Sequence, residues 1–192
     1  MMTASATRQQ IKDTFAGQLA AGGYLSASLD LVARQTGIKK PSVYHHFPGG
    51  KQALLAEVGN DYIATQHAKI TAAMAAEGDL ATRLTALSVA VVDPTGVLAG
   101  FDDRLFDALS HIDDETRTAI SHAYVTELLD PVEALFRDEL TSGELVGSPS
   151  DSALLTNAFL HMARGITFRP DDPDLPRQLV TLFCDGARRR PQ

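Results

Sequence analysis

With 192 residues, 44% hydrophobic and 21% charged, the chain can hold one large or two modest domains with real cores, and it has no low-complexity tract. One cysteine excludes an intrachain disulfide and a cysteine metal cluster, and no apolar run approaches the roughly 18 residues of a membrane span. The net charge of −7 is unevenly divided: residues 1–51 hold six basic residues against two acidic ones, a net of +4, and the remainder carries −11. Phosphate attraction is short-ranged at physiological salt, so any contact with nucleic acid is expected from the first fifty residues.

Residues 1–7 are too short and polar for a signal peptide and are expected to fray. Ile11, Phe15 and Leu19 recur at i, i+4 and i+8, which predicts a first helix from about Thr7 to Ala21, ended by Gly22-Gly23. Leu29, Val32 and Ala33 share one face of a second helix, which Ser28 is placed to cap and Thr36-Gly37 to stop. Pro41 is tolerated only in a first turn, so a third helix starts near Lys39 or Lys40 and ends near His46. Helix, glycine turn and short helix form the helix-turn-helix pattern, whose second helix enters the DNA major groove. Val43 and Phe47 are expected to face inward. Ser28, Lys39, Lys40, Ser42, Tyr44, His45, His46 and Lys51 are the candidate DNA-binding residues, with Lys40 the candidate for a guanine edge. Ser28, Tyr44, His46 and Lys51 are expected at phosphates.

The run Gly37-Ile38-Lys39-Lys40-Pro41-Ser42-Val43-Tyr44-His45-His46-Phe47, with Lys51 close behind, resembles the DNA-binding domain of the TetR family of ligand-responsive transcriptional repressors. Gly23-Tyr24 and Ser28 to Ala33 fit the same signature. The resemblance is strong over residues 8 to about 57 and architectural beyond. It implies an all-α protein, with a three-helix DNA-binding domain over 1–50 and a helical effector-binding and dimerisation domain over 51–192. Three features depart from the family pattern. The His-Phe-Pro-Gly-Gly-Lys segment is one residue longer than the commoner form. Phe15 and Leu19 exchange the usual sizes in the first helix. Leu31 removes the acidic half of a capping box at Ser28.

Beyond Pro48-Gly49-Gly50, period-spaced Leu54, Leu55, Val58, Tyr62 and Ile63 predict a long helix to about Ala76, which in this family links head and body. Leu80 to Val92 reads as a helix closed by Asp93-Pro94-Thr95-Gly96. Asp102 to Leu109 reads as a short helix, and Asp113 or Asp114 caps the next. Asp130-Pro131-Val132-Glu133 is either a fresh helix start or a kink in one helix to about Ser142. Ser150 or Asp151 caps a helix to about Thr167, Arg169 to Pro173 break it, and a last helix spans about Asp174 to Ala187. The Arg188-Arg189-Arg190 tail then complements that helix's C-terminal end.

The resemblance assigns the last two helices to a two-fold homodimer, with Ala158, Gly165, Leu179, Leu182 and Phe183 at its interface. Bulky rings in a region built from Ala, Leu and Thr point to an effector pocket lined by Phe101, Phe106, Tyr124, Phe136 and Met162. His111, His122, Asn157 and His161 would be its polar groups. No nucleophile elbow, P-loop, dinucleotide fingerprint or histidine pair at metal-ligand spacing occurs, so no catalytic residue, cofactor or metal is expected. The reading is thus a cytoplasmic regulator, not an enzyme. Its expected partners are double-stranded operator DNA, a small-molecule effector and a second copy, with no membrane. The alternative is an all-α enzyme or an architectural DNA-binding protein with an incidental helix-turn-helix.

Overall fold

The structure, a computed structural model, describes residues 4–92, 100–165 and 174–187. The regular elements among them are helical, and they gather into two compact units. The predicted turn at Asp93 to Gly96, the break at Arg169 to Pro173 and the tail Arg188 to Arg190 lie outside the described residues.

One unit takes in described residues from 1–62 and 95–123. Its first helix, α1 (Ala4–Ser26), buries Ile11, Phe15 and Leu19 completely. The regular helix breaks at Gly23, at the expected Gly22-Gly23 stop. Gly23 takes φ 75 and ψ 176, a conformation open to glycine, and one more turn then closes on its carbonyl. That oxygen accepts from the Ser26 hydroxyl at 3.1 Å and the Ala27 N–H at 3.3 Å. α2 (Leu29–Thr36), α3 (Lys40–His46) and the first half of α4 (Gly50–Met74) complete the head. In the same unit, α6 (Phe101–Leu109) packs on α1, and Phe101 lies 4.7 Å from the Tyr62 ring. α7 (Asp114–Tyr124) starts at Asp113, whose carboxylate accepts from the Thr116 N–H at 2.8 Å. That bond holds the carboxyl below the usual range.

The other unit takes in described residues from 63–94 and 124–192. Asp79 caps α5 (Leu80–Val91) by accepting from the Thr82 N–H at 2.9 Å. The proline at 131 does not restart a helix. α8 (Asp130–Ser142) follows α7 through a π-helical turn, Val125–Leu129, and Asp130 itself is helical at φ −56, ψ −41. Pro131 has no N–H to give the Glu127 carbonyl four residues back. That oxygen instead pairs with His67 Nδ1 at 2.9 Å, and since a carbonyl only accepts, the imidazole is the donor. Gly143, left-handed at φ 84, ends α8.

α9 (Ser152–Arg164) is entered through a 3₁₀ turn, Pro149–Asp151. Ser148 caps that turn in a capping box with Asp151, and Asp151, one of the two expected caps, holds the N-cap position of α9 without a side-chain bond of its own. α10 (Leu175–Ala187) packs on α5 and α9. The core here is aromatic: Phe136, Phe159 and Phe183 have ring centres 5.1–6.1 Å apart in tilted and edge-on pairs.

Candidate nucleic-acid interface

The interface is built from the backbone up. Gly37 ends α2 in the left-handed conformation, φ 71 and ψ 20, and its N–H closes on Arg34. Lys39 is extended, so α3 starts at Lys40 with Pro41 in the first turn, where a missing N–H breaks no helical bond. Val43 and Phe47 are buried at 0% and 1% exposure and fix the rotation of α3. That rotation leaves Lys39, Lys40, Ser42, Tyr44 and His45 exposed, with His46 half-buried. Five side chains able to donate to phosphates or base edges therefore share the free side of one short helix.

The expected cap at Ser28 is not made, because its side chain forms no capping bond. A capping box needs a polar side chain at the third helical position, and Leu31 stands there. Gln18 of α1 takes over the missing acceptor's role, receiving the Ser28 N–H at 2.9 Å. The Gln18 amide donates to Gln35 at 2.8 Å, so one side chain ties both ends of α2 to α1.

Contacts that local patterns do not reveal join the helices of the head. Arg8 donates to the His46 carbonyl and pairs with Glu57 of α4, while its guanidinium lies 4.3 Å from the centre of the Phe47 ring. Lys12 pairs with Asp61, again joining α1 to α4. Lys51, in the first turn of α4, lies 4.1 Å from the centre of the Tyr24 ring, and its burial there lowers its pKa. Tyr24 is in turn stacked on His111, ring centres 6.0 Å apart. Lys40 donates to Asp30 of α2 at 3.0 Å, and that bond raises its pKa. With Glu57 and Asp61 included, residues 1–62 carry six basic and four acidic side chains, a net of +2. Three of the six cations are ion-paired, Arg8 and Lys12 across α1 and α4 and Lys40 with Asp30, which leaves Arg34, Lys39 and Lys51 outside these pairs.

The candidate effector residues fall in both units. Phe101, Phe106, His111 and His122 belong to the first, where Phe101 is buried, Phe106 is 43% exposed and both histidines are exposed. Tyr124, Phe136, Asn157, His161 and Met162 belong to the second. There Tyr124 and Phe136 are buried, while Asn157, His161 and Met162 are exposed along α9. The Asn157 amide donates to the Ala153 carbonyl at 2.8 Å.

Of the candidate interface residues, Leu182 is 71% exposed and Gly165 is exposed, while Ala158 and Leu179 are half-buried. Phe183 sits instead in the aromatic core of its own unit. Among the described residues no three His, Cys, Asp or Glu side chains gather as a metal site, and no helix is long and apolar enough to cross a membrane.

A helix-turn-helix whose second helix presents exposed hydrogen-bonding side chains is a DNA-binding domain. Residues 16–58 match the model of the bacterial regulatory proteins, tetR family, so this stretch is a DNA-binding domain of that family. The whole chain has the same fold as solved regulators of that family. One, a transcriptional regulator of the TetR/AcrR family from Thermobifida fusca YX-ER1, is 22% identical, with 95% of this chain and 98% of that one covered at a TM-score of 0.64. AibR, solved with isovaleryl coenzyme A and operator DNA, is 20% identical over 94% of this chain and 97% of its own, at 0.70. The ketosteroid transcriptional regulator KstR2 of Mycobacterium tuberculosis is 15% identical over 95% of each chain, at 0.68. No curated protein matches the sequence.

Proposed function

We propose that the protein is a cytoplasmic repressor, without enzymatic activity, that binds a palindromic operator as a homodimer and leaves it when a small molecule binds the body. The observation that carries this reading is the free face of α3, where Lys39, Lys40, Ser42, Tyr44 and His45 stand exposed over buried Val43 and Phe47. Lys40 reads a base edge there, and Ser28, Tyr44, His46 and Lys51 meet phosphates.

Two heads are needed for a palindrome. Support for pairing comes from the large apolar side chains exposed on α9 and α10: Leu154 at 68%, Met162 at 41% and Leu182 at 71%. Such area is costly to leave in water, and a two-fold pairing of these helices covers it. The effector acts by its difference in affinity for two states: it binds the free dimer more tightly than the DNA-bound one, by the same factor that it weakens DNA binding.

The test is selection of duplexes from a random pool, followed by a screen for compounds that release the selected operator. Enrichment of one palindrome and its release by a compound that binds the body support the reading. Compounds that bind without changing operator affinity would overturn the effector mechanism. For the dimer, Leu182→Asp should sediment as a folded monomer and lose operator binding.

A further inference from the structure

We propose that Asp30 is a specificity-determining residue: its carboxylate orients the Lys40 ammonium toward one base and disfavours DNA that lacks that base. The inference rests on the DNA-binding reading above.

Asp30 lies in the first turn of α2, outside the recognition helix, yet its carboxylate meets Lys40 at 3.0 Å. Both side chains are about half exposed, 55% for Asp30 and 47% for Lys40, so the pair stands at the surface beside the free face of α3. A lone lysine there would attract any phosphate, because its ammonium is a mobile point charge. The paired carboxylate changes this in two ways. It nearly cancels the charge that a phosphate sees, and it is itself repelled by the DNA backbone.

It also fixes direction. An ammonium has three donors and Asp30 accepts one, so two remain for the O6 and N7 acceptors of a guanine. Cognate DNA is thus read without breaking the ion pair. DNA with no acceptor at that point gains nothing from Lys40 and still meets the acid. The pair therefore acts on the ratio of operator to random-sequence affinity more than on either affinity alone.

The experiment is fluorescence anisotropy with two labelled duplexes, the operator enriched from a random pool and a scrambled duplex of the same composition. Asp30→Asn is compared with Asp13→Asn, which removes an equal charge from an exposed carboxylate whose partner is Gln9, away from α3. Asp13→Asn should strengthen both duplexes by a similar factor. Asp30→Asn should strengthen the scrambled duplex only, so that the operator-to-scrambled ratio falls roughly two- to fivefold, the scale of one exposed ion pair. Asp30→Glu should restore part of the ratio. In a Lys40→Met background, Asp30→Asn should behave like Asp13→Asn.

If Asp30→Asn leaves the ratio unchanged, or lowers it equally in the Lys40→Met background, Asp30 does not act through Lys40 and the proposal is wrong. Asp30→Ser serves as a second substitution should the asparagine unfold the head. A wild-type protein that enriches no sequence overturns the DNA-binding reading itself. Enrichment with an unmoved ratio overturns the role of Asp30 alone.

Discussion

Two prolines set the head against the body. Pro41 falls in the first turn of α3, and everything that makes it a helix start lies close by: Gly37 ends the preceding helix, Lys39 is extended, and Val43 and Phe47 anchor the new one. Pro131 carries an equally good local signal, with Asp before it and Glu two residues after, yet the helix runs straight through. The difference is His67, 60 residues from Glu127 in sequence, which supplies the donor that Pro131 lacks. A π turn opens the backbone just before the ring. The start of α3 is thus specified by neighbours in sequence, and the passage through Pro131 by a partner that the fold must first bring together.

That contrast predicts where substitutions do their damage. The largest loss should come from the body's aromatic core: Phe136→Ala removes a fully buried ring shared by α9 and α10 and should cost about 3–5 kcal/mol in urea unfolding. Phe183→Asp should unfold the protein rather than release intact monomers. A loss below about 1 kcal/mol for Phe136→Ala would show that this cluster does not hold the unit, and the contrast would weaken.

Gly37→Ala is next. A Cβ at Gly37 meets nothing within 4 Å, so the expected cost of about 1–2 kcal/mol is purely conformational. It should lower the unfolding midpoint, and a neutral result would mean that the turn is not fixed by its left-handed backbone. Smaller still, His67→Ala should cost about 1 kcal/mol by leaving the Glu127 carbonyl without its donor. Adding Pro131→Ala should recover most of it, since residue 131 then has an N–H. Failure of that rescue would break the explanation of the π turn.

The same contrast separates the legible parts of the sequence from the rest. The bounds of α2 and α3 are legible because glycine, proline and two apolar anchors fall within eleven residues. Ser28 has the look of a cap, but Gln18, a residue outside α2, makes the bond there. Arg8 and Asp30 give no local signal, since their partners His46, Glu57 and Lys40 lie 38, 49 and 10 residues away. In α10 a helical stripe sets Leu182 beside Phe183, but only the packing shows that the first points out and the second in. The effector residues are the least legible, because they are scattered over several helices with no spacing rule to join them.

Whether the exposed face of α3 reads DNA is measured directly by the affinity of the enriched operator for wild-type protein and for Lys40→Ala, Tyr44→Ala. Both side chains stand about half exposed, so the double variant should stay folded. It should lose about tenfold or more in operator affinity, with the Lys40 share concentrated at one base position. A folded double variant that binds the operator as tightly as wild type would contradict this docking of the recognition helix.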